Sequence, residues 1–152
     1  MRTSTIRLMA LCLALLLAAS ATAELTPEMT KALADAKYVY ISSTRKDGSF
    51  GAPAEIWFMA HEGAVYVGTR PTSWRVRRIN AGRPKAKIAV GAVDGPSFIA
   101  TGTVVKNDPA IEVLLMGMFA KKYPDRWPSH AQGFRDGFAD GSRVVVKYTP
   151  AS

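Results

Sequence analysis

Short runs of β-branched and aromatic residues recur along this chain, and each is closed by a residue that turns the backbone. Tyr38–Thr44 (YVYISST) runs into Lys46-Asp47-Gly48-Ser49, where Asp-Gly signals a tight hairpin. Ala54–Met59 (AEIWFM) runs into His61-Glu62-Gly63, and Ala64–Thr69 (AVYVGT) follows as the third strand of a meander. Lys87–Ala92, Phe98–Lys106 and Arg143–Tyr148 have the same character. Helices are predicted around these runs. Thr26 caps Leu25–Ala36, with Pro27 at the first helical position. Thr72 and Ser73 offer caps for Trp74–Ala81, which Gly82 ends and Pro84 prevents from resuming. Asp108-Pro109 opens another helix through Lys122, apolar at Ile111, Leu114, Leu115, Met118 and Phe119. Tyr123–Gly141, rich in Pro, Gly and aromatic residues, is predicted as loop. Six short strands with helices inserted between them predict a mainly-β fold, a small closed barrel rather than an open parallel sheet.

Ahead of these elements, Arg2 and Arg7 precede an uncharged apolar run, Leu8–Ala19. Ala21-Thr22-Ala23 then places small residues where a signal peptidase reads. The pattern predicts a secretory signal peptide over residues 1–23, cut before Glu24, with one domain over 24–152. A spanning helix needs about 20 apolar residues, so no stable membrane insertion is expected after cleavage. No adjacent arginine pair precedes the run. General export to the periplasm or the medium is therefore the expected route. The single cysteine, Cys12, lies in the leader. Residues 24–152 therefore offer no thiol for a disulfide or a thiolate metal site, and no metal is expected.

The chain carries 20 Lys and Arg against 12 Asp and Glu. The excess is concentrated. Arg70, Arg75, Arg77, Arg78, Arg83, Lys85 and Lys87 follow one another with no carboxylate between Glu62 and Asp94. Such a cluster attracts phosphate or another polyanion. Thr69, Thr72 and Ser73 add hydroxyl donors just before the predicted basic helix, whose first turn exposes N–H groups. Arg75 and Arg78 lie one turn apart and reach the same side. Trp74 is an indole on a charged helix start, a place for burial in a partner chain or stacking on a planar ring. Aromatic interleaving is limited to Trp74, so nucleic acid is not an expected partner.

Tyr66-Val67-Gly68-Thr69, then Ser73, Arg75 and Ile79, then a proline and a strand, resemble the pyridoxamine 5'-phosphate oxidase-like split β-barrel family. Gly48, Pro53, Ile56-Trp57-Phe58, the turn at Gly63 and Tyr148-Thr149-Pro150 fit the same order. The resemblance covers about Tyr38 to Pro150. It implies a split β-barrel of the type that binds flavin mononucleotide (FMN) or deazaflavin, usually a homodimer with the cofactor at the subunit interface. It implies that Thr69, Ser73 and Arg75 contact the flavin phosphate, with Trp74 and Arg78 as neighbours. Ile56, Trp57 and Phe58 then fall on the strand beside the isoalloxazine. The implied activity is hydride transfer between flavin and a small organic substrate, with no catalytic residue named. Trp74 stands where the oxidases proper have the first member of a basic pair. Glu55–Phe58 lacks the cations of their second strand, so oxidation of a B6 vitamer is not expected. The family also has haem-related and cofactor-less members. Haem would need His61 or His130 as axial ligand. A non-enzymatic module binding phosphate or another anion is the remaining alternative.

Overall fold

In a computed structural model, residues 23–152 are described, and residues 1–22 of the predicted leader lie outside them. The elements are α1 (Pro27–Asp35), β1 (Val39–Ser43), β2 (Ala54–Ile56), β3 (Met59–His61), β4 (Ala64–Thr69), α2 (Trp74–Asn80), β5 (Lys85–Val90), β6 (Ser97–Val105), α3 (Pro109–Lys122), α4 (Trp127–Asp140) and β7 (Val144–Pro150). The seven strands form one antiparallel sheet in the order β2-β1-β5-β6-β7-β4-β3. Its two edge strands, β2 and β3, are consecutive in the chain and separated by Trp57 and Phe58 alone. The sheet therefore curls on itself, with its edges joined end to end. Among the described residues, no helix is long and apolar enough to cross a membrane.

This seam corrects the single strand predicted over Ala54–Met59. The physical reason lies in the two aromatic residues at the break. Phe58 turns into the barrel interior, where it is fully buried with Val39, Ile41, Val65, Val67 and Ile88. Trp57 turns outward and stacks on Tyr123, with ring centroids 4.3 Å apart. The Phe58 N–H leaves the strand ladder and donates to the Tyr123 hydroxyl at 3.1 Å. That hydroxyl donates onward to the Lys37 carbonyl at 2.8 Å. No meander of three forms: β2 returns along β1, while β3 pairs with β4.

β4 is buried along its whole length. Side chains alternate across a strand, so Val65 and Val67 enter the barrel core. Ala64 and Tyr66 enter a second core, made with Leu115 and Phe119 of α3 and Phe134 of α4. The presence of α4 corrects the predicted loop at Tyr123–Gly141. Trp127, Phe134 and Phe138 recur at helical spacing and pack into or against this second core, and Ala131 is buried on the same helix face. Pro128 falls in the first turn, where its missing N–H costs nothing. Gly141 ends the helix at φ 79°. α1 and α3 begin as predicted, on Thr26 accepting from the Met29 N–H and Asp108 accepting from the Ile111 N–H, each at 3.1 Å.

Candidate functional site

α2 decides where the basic side chains point. Ser73 caps it, its Oγ accepting from the Val76 N–H at 3.5 Å. Val76 is buried in the barrel core. Ile79 packs against Gly102 of β6, where an added Cβ would lie 2.8 Å from Ile79 Cδ1. With that face fixed, Arg75 and Arg78 turn toward β1 and the hairpin after it. The Arg78 Nη1 donates to the Ser43 carbonyl at 2.9 Å. It passes so close to Gly51 that a Cβ there would stand 2.6 Å from Nη1. The Arg45 Nη1 donates to the Phe50 carbonyl at 2.8 Å. Ile41, Ser43, Arg45, Ala52, Ala54, Ser73, Trp74, Arg75 and Arg78 line a cleft of about 510 Å3 that has no acidic side chain in its wall.

Arg75 lies half-buried in this cleft. Its Nη1 is buried and has no hydrogen-bond partner. Burial pulls its pKa downward, and the nearby Tyr148 hydroxyl works in the opposite sense. The buried Tyr148 hydroxyl is also without a partner, and burial pushes its pKa up to about 12. A guanidinium does not escape by losing its proton. A buried cation without a counter-charge is costly, and an anion with several acceptor oxygens relieves that cost. Trp74 stays 67% exposed at the rim, its ring flanked by Arg77 and Arg78, each 5.5 Å from the centroid.

Ser73, Trp74, Arg75 and Arg78 are thus brought together. Thr69 is buried at the end of β4, paired in register with Val144, and does not line the cleft. Ile56 packs on the barrel core, Phe58 lies within it, and Trp57 belongs to the second core. None of these three lines the cleft within one chain. α2 spans two turns, and the Ser73 Oγ already occupies the Val76 N–H. Arg45 was missed in the sequence; it sits one residue beyond the predicted first strand and carries no motif. His61 ends β3 with its Nε2 3.7 Å from Glu62. His130 lies on α4, its ring 5.0 Å from Trp57 and its Nδ1 2.8 Å from the Arg126 carbonyl. Neither faces the cleft. Among the described residues, no group of His, Cys, Asp and Glu could hold a metal ion.

A seven-stranded antiparallel sheet, curled and joined at Trp57-Phe58 with helices packed outside it, is the split β-barrel fold of the pyridoxamine 5'-phosphate oxidase-like proteins. Solved structures of that fold are similar along most of the chain. A protein from Listeria innocua assigned as a pyridoxamine 5'-phosphate oxidase matches at TM-score 0.58 and 14% identity, over 82% of this chain and 92% of its own. HutZ, the haem storage protein of Vibrio cholerae, matches at TM-score 0.58 and 13% identity, over 86% and 92%. A conserved hypothetical protein from Mycobacterium tuberculosis matches at TM-score 0.61 and 14% identity, over 88% and 84%. At such identities the likeness is one of fold. No protein-family model matches the chain, and no curated protein matches it in sequence.

Proposed function

We propose that the cleft beside α2 holds the phosphate of a flavin mononucleotide, and that the protein is an exported homodimeric flavoprotein acting as an oxidoreductase on a small organic substrate. The observation that carries this reading is Arg75, a half-buried guanidinium whose Nη1 is buried and orphaned, in a wall free of carboxylates. Arg45 and Arg78 add charge and Ser73 adds a hydroxyl. Paired guanidiniums and hydroxyls suit phosphate oxygens. The volume falls in the range of small-molecule sites, about 300–1,000 Å3. A bound flavin would supply the hydride chemistry. The chain's own residues grip the phosphate and, through Trp74, offer a planar surface at the cleft mouth. A deazaflavin phosphate would suit the same cations.

The test compares two ligands. Arg75→Ala should weaken FMN binding by about 1.5–3 kcal/mol, the range for hydrogen bonds to charged groups. Arg75→Lys should recover part of it, because a point charge lacks the guanidinium fork. Riboflavin, without the phosphate, should bind wild type and variant alike. Equal weakening of both ligands by titration would show that Arg75 does not read the phosphate. Absence of any flavin binding would favour a non-enzymatic anion-binding module. The fold likeness to HutZ supports a haem reading, for which a Soret band on adding haem, lost in His61→Ala or His130→Ala, is the expected sign. Export rests on the leader. Mass spectrometry of protein from the native host should find Glu24 as the first residue, and an intact Met1 on soluble protein would remove export.

A further inference from the structure

We propose that a second cleft, between the segment ahead of α2 and the corner joining α4 to β7, is a separate binding site for a dianionic phosphate group. It is lined by Arg70, Pro71, Thr72, Gly133, Ser142 and Arg143 and has a volume of about 440 Å3. The two clefts share no lining residue, although Arg70–Thr72 of this one run directly into Ser73 of the other.

Two cations converge here without an acid. The Arg143 pKa is lowered first by burial and then by the neighbouring Arg70 charge. Arg143 Nε is buried and has no hydrogen-bond partner. The ion pairs among the described residues, Lys31 with Asp35 and His61 with Glu62, involve neither arginine. The acids nearest in sequence are already engaged. Asp140 accepts from the Ser142 N–H at 2.8 Å, and Asp136 accepts from Gln132 at 2.7 Å. Two guanidiniums lining one cleft repel each other, and a group carrying close to two negative charges turns that repulsion into attraction. Thr72 and Ser142 place hydroxyls in the same wall to donate to its oxygens.

Arg143 is also held in place. Its N–H donates to the Gly137 carbonyl at 2.9 Å. Gly137 exists at that point because a Cβ there would stand 2.8 Å from Arg143 Cβ. The guanidinium lies 3.9 Å from the centre of the Phe134 ring. That cation–π contact orients it without consuming its donors. Gly133 faces open space, so the cleft mouth is unobstructed where a side chain would otherwise stand.

The experiment is a titration with inorganic phosphate at constant ionic strength, read by the amide NMR shifts of Gly133 and Ser142 and, for the other cleft, of Ser73 and Trp74. A parallel arm uses glycerol phosphate. Saturable shifts at Gly133 and Ser142 are expected, with the same midpoint in Arg75→Ala, which disables the first cleft alone. Arg143→Gln should raise the midpoint at least about tenfold, the loss of one charge-assisted contact. Gly133→Leu keeps both arginines but fills the cleft, and should abolish the shifts. Tighter binding of glycerol phosphate would identify the natural ligand as a phosphomonoester; tighter binding of inorganic phosphate would identify the free ion. Shifts that chloride reproduces, shifts confined to Ser73 and Trp74, or an unchanged midpoint in Gly133→Leu would each overturn the proposal. Weakened FMN binding in Arg75→Ala with these shifts intact separates this site from the flavin reading.

Discussion

Lys122 closes α3 with its Nζ 3.2 Å from the centre of the Phe58 ring. Burial lowers its pKa from 10.5 to about 8. Below the lower value the side chain is charged in both folded and unfolded chains, and its burial cost is fully present. Between about 8 and 10.5 the unfolded chain binds more protons than the folded one, so stability rises with pH. Tyr123 and Tyr148 act in the opposite sense. Burial raises both from 10.0 to about 12, so above the lower value the unfolded chain ionises first and stability falls. Lys31, raised by its hydrogen bond to Asp35, and Tyr40, raised by Glu55, add to that fall. Urea unfolding across this range should therefore show stability climbing from about pH 8 to a maximum near pH 10 and then dropping. Lys122→Met should erase the climb, and Tyr148→Phe should soften the drop. A climb that persists in Lys122→Met would assign it to another group.

At the scale of elements, the closeness of α3 and α4 to the sheet is set by one missing side chain on β4. A Cβ at Gly68 would stand 2.8 Å from Phe134 Cε1 and 3.4 Å from Leu115 Cδ2. Gly68→Ala should cost about 1–3 kcal/mol as an overpacked contact, read by denaturant unfolding, with the cleft beside α2 unaffected. A more stable variant would mean that the Phe134 ring yields. This packing also explains what the sequence showed and what it hid. α1, α3 and β4 were legible because their signals are local: a capping hydroxyl or carboxylate, a proline in the first turn, an alternating run. α4 was hidden because Gly133 and Gly137 in its interior lower its intrinsic preference. Its helix is held by contacts of Trp127, Phe134 and Phe138 with residues distant in sequence. The break at Trp57-Phe58 was hidden for the same reason, since it depends on Tyr123 reaching back 65 positions to the Phe58 N–H. Ser73, Trp74, Arg75 and Arg78 could be grouped because they share one cap and helix. Arg45 joins them through the curl of the sheet, and Arg143 joins Arg70 through the pairing of β4 with β7, where Thr69 lies opposite Val144.

For the whole molecule, the cleft beside α2 is bordered by large aromatic groups that one chain leaves in water. Trp74 at its rim is 67% exposed, and Phe50, whose carbonyl Arg45 holds, is 38% exposed. Large aromatic groups left in water beside a basic cleft are a poor end state for a monomer but a good anchor for an interface, where aromatic and arginine side chains concentrate binding energy. The Trp57 and Phe58 side chains are already used inside the fold, so a ring bound at this cleft would take its remaining wall from a second copy. The expected assembly is a homodimer with Trp74 buried between the subunits. Light scattering at micromolar concentration should report twice the chain mass. Trp74→Ala should shift the equilibrium toward monomer and weaken FMN in the same proportion as it depletes dimer. The variant's monomer should keep the unfolding midpoint of wild type diluted to the same state, because the exposed indole packs on nothing inside the barrel. Wild type that scatters as a monomer, yet binds FMN with full affinity, would place the whole flavin site within one chain and leave Trp74 as a stacking surface rather than an anchor.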